Sequence, residues 1–320
     1  MLWTIKYQPK TIDEFEGNEE VVSIAKKLDT NLPHLLLVGP AGVGKKTLAK
    51  LIAKKFLGNA FEENFLFVDL SSFVHILLFK SASDWSISEK EIAEQNNLVS
   101  VKDFAFSLPV AAQFRVVLLS GIEKLDFLHQ QALRVIIEKS SKMCRFFLVG
   151  KSKSNLIPAI LSRVMELRFK PLSYQDFSKV VVSVLQKEKI KYDEKIISFF
   201  YSKTRGNLFQ TLTILQSLKN YTLAEVKNLF ETDEEIEEIL KLIIKRNPKE
   251  IREKVINMLF YKGYSSEEII RKLVNFIEVS ESLSSEEKIS MLEKIANNER
   301  FLKGFEDYIG LEYLLVSLMK

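Results

Sequence analysis

The stretch Gly39, Pro40, Ala41, Gly42, Val43, Gly44, Lys45, Lys46, Thr47 constrains this chain more than any other. It follows the apolar run His34-Leu-Leu-Leu-Val38, which reads as a buried strand. It opens onto Leu48, Leu51, Ile52 and Phe56, which share one face of a helix. Strand, glycine loop and helix form the arrangement that holds a polyphosphate. The glycines let the backbone turn with its N–H groups inward, and those donors combine with the positive end of the helix. Lys45 supplies the charge that reaches the outer phosphates.

The residue after that lysine departs from the pattern. A Ser or Thr hydroxyl there would be a ligand of the Mg²⁺ that travels with ATP, and the chain has Lys46. An ammonium carries donors and no lone pair, so it cannot ligate a metal. Thr47 comes one place late, where its hydroxyl can touch a phosphate but does not point at the usual metal position. The loop therefore predicts a site that binds ATP or ADP, holds Mg²⁺ weakly or not at all, and hydrolyses poorly.

Four further apolar runs follow, Phe65 to Leu70, Arg115 to Leu119, Phe146 to Val149 and Met165 to Phe169. They are apolar throughout, and helical stretches separate most of them. Strands buried on both faces imply a parallel sheet between helices. A P-loop ATPase needs acids at the end of a second strand, to hold the metal and to activate water. Here Val116-Val-Leu-Leu119 ends in Ser120-Gly121-Ile122-Glu123, so both acids are missing from their register. The interval from Phe73 to Ala112 is weakly patterned, with one helical signal around Ser88 to Glu94. The N-terminal segment Trp3 to Thr11 reads as extended, and a helix is expected to start near Glu19.

After Pro171 the strand signals stop. Ser173-x-x-Asp176, Thr222-x-x-Glu225, Thr232-x-x-Glu235, Ser265-x-x-Glu268 and Ser284-x-x-Glu287 read as helix starts, in which a hydroxyl caps and an acid occupies the first turn. Asn247-Pro248 and Gly263 mark breaks between helices. A length of 320 residues with 47% hydrophobic composition suits two or three domains. One cysteine and three histidines exclude a disulfide framework and a zinc site, and Cys144 reads as a packing residue. The net charge of +4 is compatible with a nucleic-acid or acidic partner without demanding one. No run is long enough to span a membrane and no signal peptide is present, so a soluble, intracellular (cytoplasmic) protein is expected.

The order of motifs along the chain resembles the replication factor C small subunit family of AAA+ clamp loaders, especially its archaeal members. The residues that carry the resemblance are Trp3-Thr-x-Lys-Tyr7-x-Pro9-Lys-Thr11, Leu32-Pro-His-Leu-Leu36, the glycine loop, Gln130-Gln-Ala-Leu-Arg134, Ile160-Leu-Ser-Arg163 and Arg168-Phe-Lys-Pro-Leu-Ser173. Gly263 to Ile269, Glu299 to Gly304 and Leu311 to Leu315 extend it through the C-terminal region. The resemblance implies an α/β AAA+ sheet domain over 1–169, an α-helical lid over 170–230 and an α-helical collar over 231–320. It also implies assembly, as a heteropentamer, with a large subunit and a catalytic small subunit. The loader's partners would be the sliding clamp and primer–template DNA. It adds Tyr7 and Pro9 to the nucleotide contacts. Ser162-Arg163-Val164 stands where the family carries a Ser-Arg-Cys motif whose arginine enters a neighbour's ATP site, a task suited to a guanidinium.

The departures from the family pattern are concentrated in the chain's own site. Gln8 replaces an arginine, Ser120-Gly121 replaces Asp-Glu, Lys151 replaces a sensor asparagine, and Phe209 replaces a phosphate-sensing arginine of the lid. The arginine that acts on a neighbour remains. These features resemble the non-hydrolysing positions of clamp loaders, including the bacterial delta-prime subunit. The expected function is an ATPase-deficient loader subunit that gives Arg163 in trans. Two alternatives stay open: a self-sufficient ATPase in which Glu123 or Asp126 supplies the acid, and a nucleotide-free scaffold whose loop lysines pair with acids.

Overall fold

The computed structural model describes residues 1–70, 78–95, 99–190, 192, 194–218, 232–280, 283–302 and 307–319. Within it the chain divides into two compact units, Met1–Lys219 and Asn220–Lys320.

The first unit opens with α1 (Trp3–Lys6) and α2 (Glu19–Lys27), followed by β1 (His34–Val38), α3 (Lys45–Leu57), α4 (Phe61–Asn64) and β2 (Phe65–Asp69). Next come α5 (Ile87–Gln95), α6 (Val101–Phe106), β3 (Arg115–Ser120), α7 (Phe127–Ser140), β4 (Cys144–Gly150), α8 (Pro158–Leu161) and β5 (Val164–Arg168). Three helices complete the unit: α9 (Tyr174–Lys187), α10 (Glu194–Thr204) and α11 (Leu208–Ser217). Each apolar run of the sequence is a strand. All five strands are parallel, in the order β2-β3-β4-β1-β5. Leu35, Leu36, Leu37, Val116 to Leu119 and Phe146 to Leu148 are fully buried, as strands covered by helices on both faces must be. The expected extended N-terminus differs in one respect, because Trp3–Lys6 makes a helical turn that buries Trp3.

Register decides what the sheet displays. Asp69 pairs with Ser120, Ser120 with Val149, Val38 with Gly150, and Val38 with Arg168, so these residues line one carboxyl edge. In open parallel sheets ligands bind in the crevice beyond that edge, where connections leave in opposite directions. The glycine loop leaves β1 there, flanked by β4 and β5.

Helices α9 to α11 form the lid-like part of this unit. Ser173 caps α9 by accepting the Asp176 N–H at 3.1 Å, as its sequence signal predicts. The N-terminal region is tied to these helices and to the segment that leads into them. The Trp3 N–H donates to Gln216 at 2.8 Å, the Tyr7 hydroxyl to Glu188 at 2.5 Å, and the Lys170 N–H to Asn18 Oδ1 at 2.7 Å.

The second unit contains α12 (Thr232–Ile244), α13 (Pro248–Ile256), α14 (Ser266–Val279), α15 (Ser285–Leu302) and α16 (Asp307–Leu318) around a core that includes Ile239, Ile251, Leu273, Leu311 and Leu314. Asn247 caps α13 with Pro248 in its first turn, and Ser265 with Glu268 makes a capping box on α14. Ser284 and Glu287 exchange the same reciprocal bonds at the head of α15. Thr222 to Glu225, and the domain boundary expected near residue 230, lie outside the described residues. No described helix is long and apolar enough to cross a membrane.

Candidate functional site

The loop expected to hold phosphate closes tightly over its own lysine. Gly42 and Gly44 have φ of +74° and +90°, a region that L side chains rarely adopt. Space excludes a side chain as well. A Cβ at Gly42 would lie 1.8 Å from Asn207 Oδ1, and one at Gly44 would lie 2.6 Å from the Phe15 ring. The loop is therefore packed between the N-terminal segment and the start of α11. Neither contact was visible as a motif in the sequence. The positive φ demanded by each glycine was the only local signal.

Lys45 begins α3 and is only 8% exposed. Its Nζ donates to Gly39 O at 2.6 Å and to Pro40 O, so the ammonium lies within the curve of the loop. Burial pushes its pKa down to about 8. Lys151 and Lys46 act in the same direction, and Glu123 opposes them. Those charges identify what surrounds the loop. Glu123 follows β3, and its Oε2 accepts the Lys151 N–H at 3.3 Å. A Cβ at Gly150, the last residue of β4, would fall 2.7 Å from the same carboxylate. The structure thus brings Lys45, Glu123 and Lys151 together at the carboxyl edge.

Lys46 turns away from the loop. Its Nζ lies 3.0 Å from Asp69 Oδ2 at the end of β2, and over the face of Phe67 at 5.7 Å. Thr47 is half-buried in the first turn of α3. Where two acids would be needed, Ser120 is buried and Gly121 has a φ of +82°. Asp126 is committed elsewhere, accepting the His129 N–H at 2.9 Å as the cap of α7. Among the described residues no three His, Cys, Asp or Glu side chains converge to hold a metal ion. The loop fits a polyphosphate, and position 46 offers a metal ion an ammonium where a hydroxyl ligand is expected.

Tyr7, expected among the nucleotide contacts, has its hydroxyl on Glu188 at the end of α9, and Pro9 is half-buried beside it in the chain. Phe209, at the lid position expected to sense phosphate, is 65% exposed.

Arg163 occupies the other end of the sheet. It precedes Val164, which pairs with His34, the first residue of β1, whereas the glycine loop leaves β1 after Val38. The length of the strand, about 13 Å, separates the two levels. Arg163 Nη1 donates to Ala159 O at 2.7 Å and to Ser162 Oγ at 3.2 Å, and Nη2 donates to Glu138 Oε2 at 3.1 Å. Arg134 lies 3.6 Å from the same Glu138 oxygen. Buried Gln130 sets the preceding loop, donating to Leu125 O and Asn155 O and accepting the Ile157 N–H at the head of α8.

Two family models match, "Replication factor C C-terminal domain" over residues 231–317 and "DNA polymerase III, delta subunit" over 19–173. The replication factor C small subunit of Saccharolobus solfataricus is 31% identical, over 99% of this chain and 94% of its own length. The chain belongs to the replication factor C small subunit family. The Methanococcus vannielii small subunit is 30% identical over 99% of this chain and 98% of its own length. The fold is shared more widely. A structure described as the replication initiator DnaA bound to AMPPCP and single-stranded DNA superposes with a TM-score of 0.53 at 14% identity, covering 97% of this chain and 98% of that one. As a member of this clamp-loader family the chain has an α/β AAA+ P-loop unit, with helices α9 to α11 as its lid, and a C-terminal helical domain. Against the family pattern, Lys46, Ser120 and Gly121 all fall at the carboxyl edge, and Arg163 falls at the opposite one.

Proposed function

We propose that this chain is the ATPase-deficient small subunit of a sliding-clamp loader. It binds ATP or ADP at its own glycine loop, with Mg²⁺ held weakly or not at all, and supplies Arg163 to a neighbour's ATP site. One observation carries the reading: the parts that cradle phosphate are intact, while those that position metal and water are replaced at the same edge by Lys46, Ser120 and Gly121. Loss of such positioning and charge-stabilising groups costs roughly 10³-fold or more in rate. Arg163 lies a strand's length from its own loop, which supports a role on another subunit's phosphate rather than on its own.

By analogy with its family, the chain works with a large subunit and a catalytic small subunit in a heteropentamer held by the collar over 231–320. The lid extends over 170–230, after the sheet domain over 1–169. The assembled loader acts on a sliding clamp and primer–template DNA, a duplex gripped mainly through its phosphates.

The test is ATPase activity of the reconstituted loader with clamp and primed DNA. Arg163→Ala is expected to remove much of the activity, and Lys45→Ala to change it little. The opposite ranking, together with hydrolysis by the isolated chain, refutes the proposal. A second reading has a specific observation behind it, because Glu123 faces Lys45 and could act as a relocated acid. Intrinsic hydrolysis abolished by Glu123→Gln would establish it. The nucleotide-free scaffold draws on the Lys46–Asp69 pair, and an ADP-independent melting temperature would favour it.

A further inference from the structure

Lys46 stands where the family's metal-ligating hydroxyl belongs, and its ammonium is set against a carboxylate. Asp69 ends β2 and is in register with Ser120, the position from which an acid would hold the metal's water shell. An ammonium with several donors thus replaces an electrophilic ion, and the nearby carboxylate is already turned toward it. A divalent cation entering this space would meet the like charges of Lys45, Lys46 and Lys151, which already act on one another. It would find no hydroxyl ligand at position 46. Lys46 remains 51% exposed along its side chain, so its charge is available to a ligand.

We propose that the Lys46 ammonium takes the place of the divalent cation, so that the pocket accepts a nucleoside polyphosphate as the free, metal-free anion. The inference rests on the nucleotide-binding reading above and adds what neutralises the ligand. Mg²⁺ ordinarily bridges phosphate oxygens and cancels part of their charge. Here Lys46 makes that contact by exchanging or sharing its Asp69 partner for a phosphate oxygen, and Lys151 contributes from the end of β4. No bond to the nucleotide is made or broken. The arrangement suits a subunit that keeps its nucleotide in place, because Lys46 neutralises phosphate while Ser120 and Gly121 offer no acid to activate water.

The test uses the full chain and ADP, with affinity measured by calorimetry in EDTA and in millimolar Mg²⁺. Wild type is expected to bind several-fold more weakly in Mg²⁺ than in EDTA, because the cation sequesters the free anion in solution. Lys46→Met is expected to weaken binding about tenfold in EDTA, and Lys46→Arg, which keeps the charge, to restore it. Position 46 is exposed, so these changes leave the fold intact, and matched melting temperatures verify that. Wild-type binding unchanged or tightened by Mg²⁺, or Lys46→Met equal to wild type in EDTA, overturns the inference while leaving nucleotide binding standing. Failure of the folded wild type to bind ADP in either solution overturns the nucleotide reading itself, and this inference with it.

Discussion

Burial pushes the Lys45 ammonium down to about 8, and this makes nucleotide affinity a function of pH with a definite sign. Near that pH half of the unliganded molecules carry a neutral amine, which offers no charge to a phosphate. Bound polyphosphate favours the proton, so the pKa in the complex lies above that of the free protein. Binding is therefore at full strength below the free pKa and weakens as pH rises toward the pKa of the complex. The limiting slope is about one decade per pH unit. From about pH 7 to about pH 9 the protonated fraction falls from about nine-tenths to about one-tenth, so ADP affinity falls about tenfold, or about 1.4 kcal/mol. The nucleotide's own phosphates contribute little over that range, since their last protons leave near about pH 6. Calorimetric titration at constant ionic strength, in buffers of different ionisation enthalpy, reads both the affinity and the proton taken up. Lys45→Arg is the control, because a guanidinium stays charged throughout and flattens the profile. An unchanged wild-type affinity across this range refutes the reasoning. So does a Lys45→Arg profile as steep as wild type, which would assign the proton to another group. The same shift acts oppositely on the fold. Between about 8 and the ordinary value of 10.5 the unfolded chain holds the extra proton, so the nucleotide-free protein gains stability as pH rises through that window.

Glu138 bridges Arg163 and Arg134, and if Arg163 acts in trans as proposed, Glu138→Gln should lower the kcat of the reconstituted loader on the order of tenfold by loosening the orientation of that arginine. Its melting temperature should hardly move, because exposed ion pairs contribute only about 0–1 kcal/mol; an unchanged kcat would remove Glu138 from the positioning of the finger. Gly42→Ala forces a side chain into Asn207 at positive φ, and urea unfolding should show a loss of about 2 kcal/mol or more. A neutral result there would mean that α11 does not press on the loop in solution.

What the sequence made legible was local. The glycine loop, five apolar runs and the hydroxyl-plus-acid helix starts are short patterns whose meaning depends on neighbours within a few residues; strands formed at the runs, and caps formed at Ser173, Ser265 and Ser284. What stayed hidden was contact between distant segments. Nothing local in Asp69 marks it as the partner of Lys46, nor Glu138 as the partner of Arg163, because register and crossover connections create those pairs. Phe15 and Asn207 were unreadable for the same reason, since each matters only through the glycine it covers. The N-terminal turn was misread as extended because a four-residue helix carries almost no periodicity, and burial of Trp3 stabilises it instead.

On the function proposed above, topology accounts for a subunit that loses its own chemistry while still serving a neighbour. In a parallel sheet every strand presents its carboxyl end to one edge and its amino end to the other. The residues proposed to face the chain's own nucleotide follow β1, β3 and β4 at the first edge, and Arg163 precedes β5 at the second. Between the two edges lies a core of fully buried leucines, valines and phenylalanines that specifies the strands whatever their ends carry. Replacing Asp-Glu by Ser120-Gly121, or a hydroxyl by Lys46, alters charge at one edge and leaves the packing under Arg163 untouched. Arg163 depends on a separate set of contacts, namely Gln130 to the loop before α8, Ala159 O to Nη1 and Glu138 to Nη2. The two sites share a scaffold and no side chains, so selection can empty one of catalysis while holding the other in place.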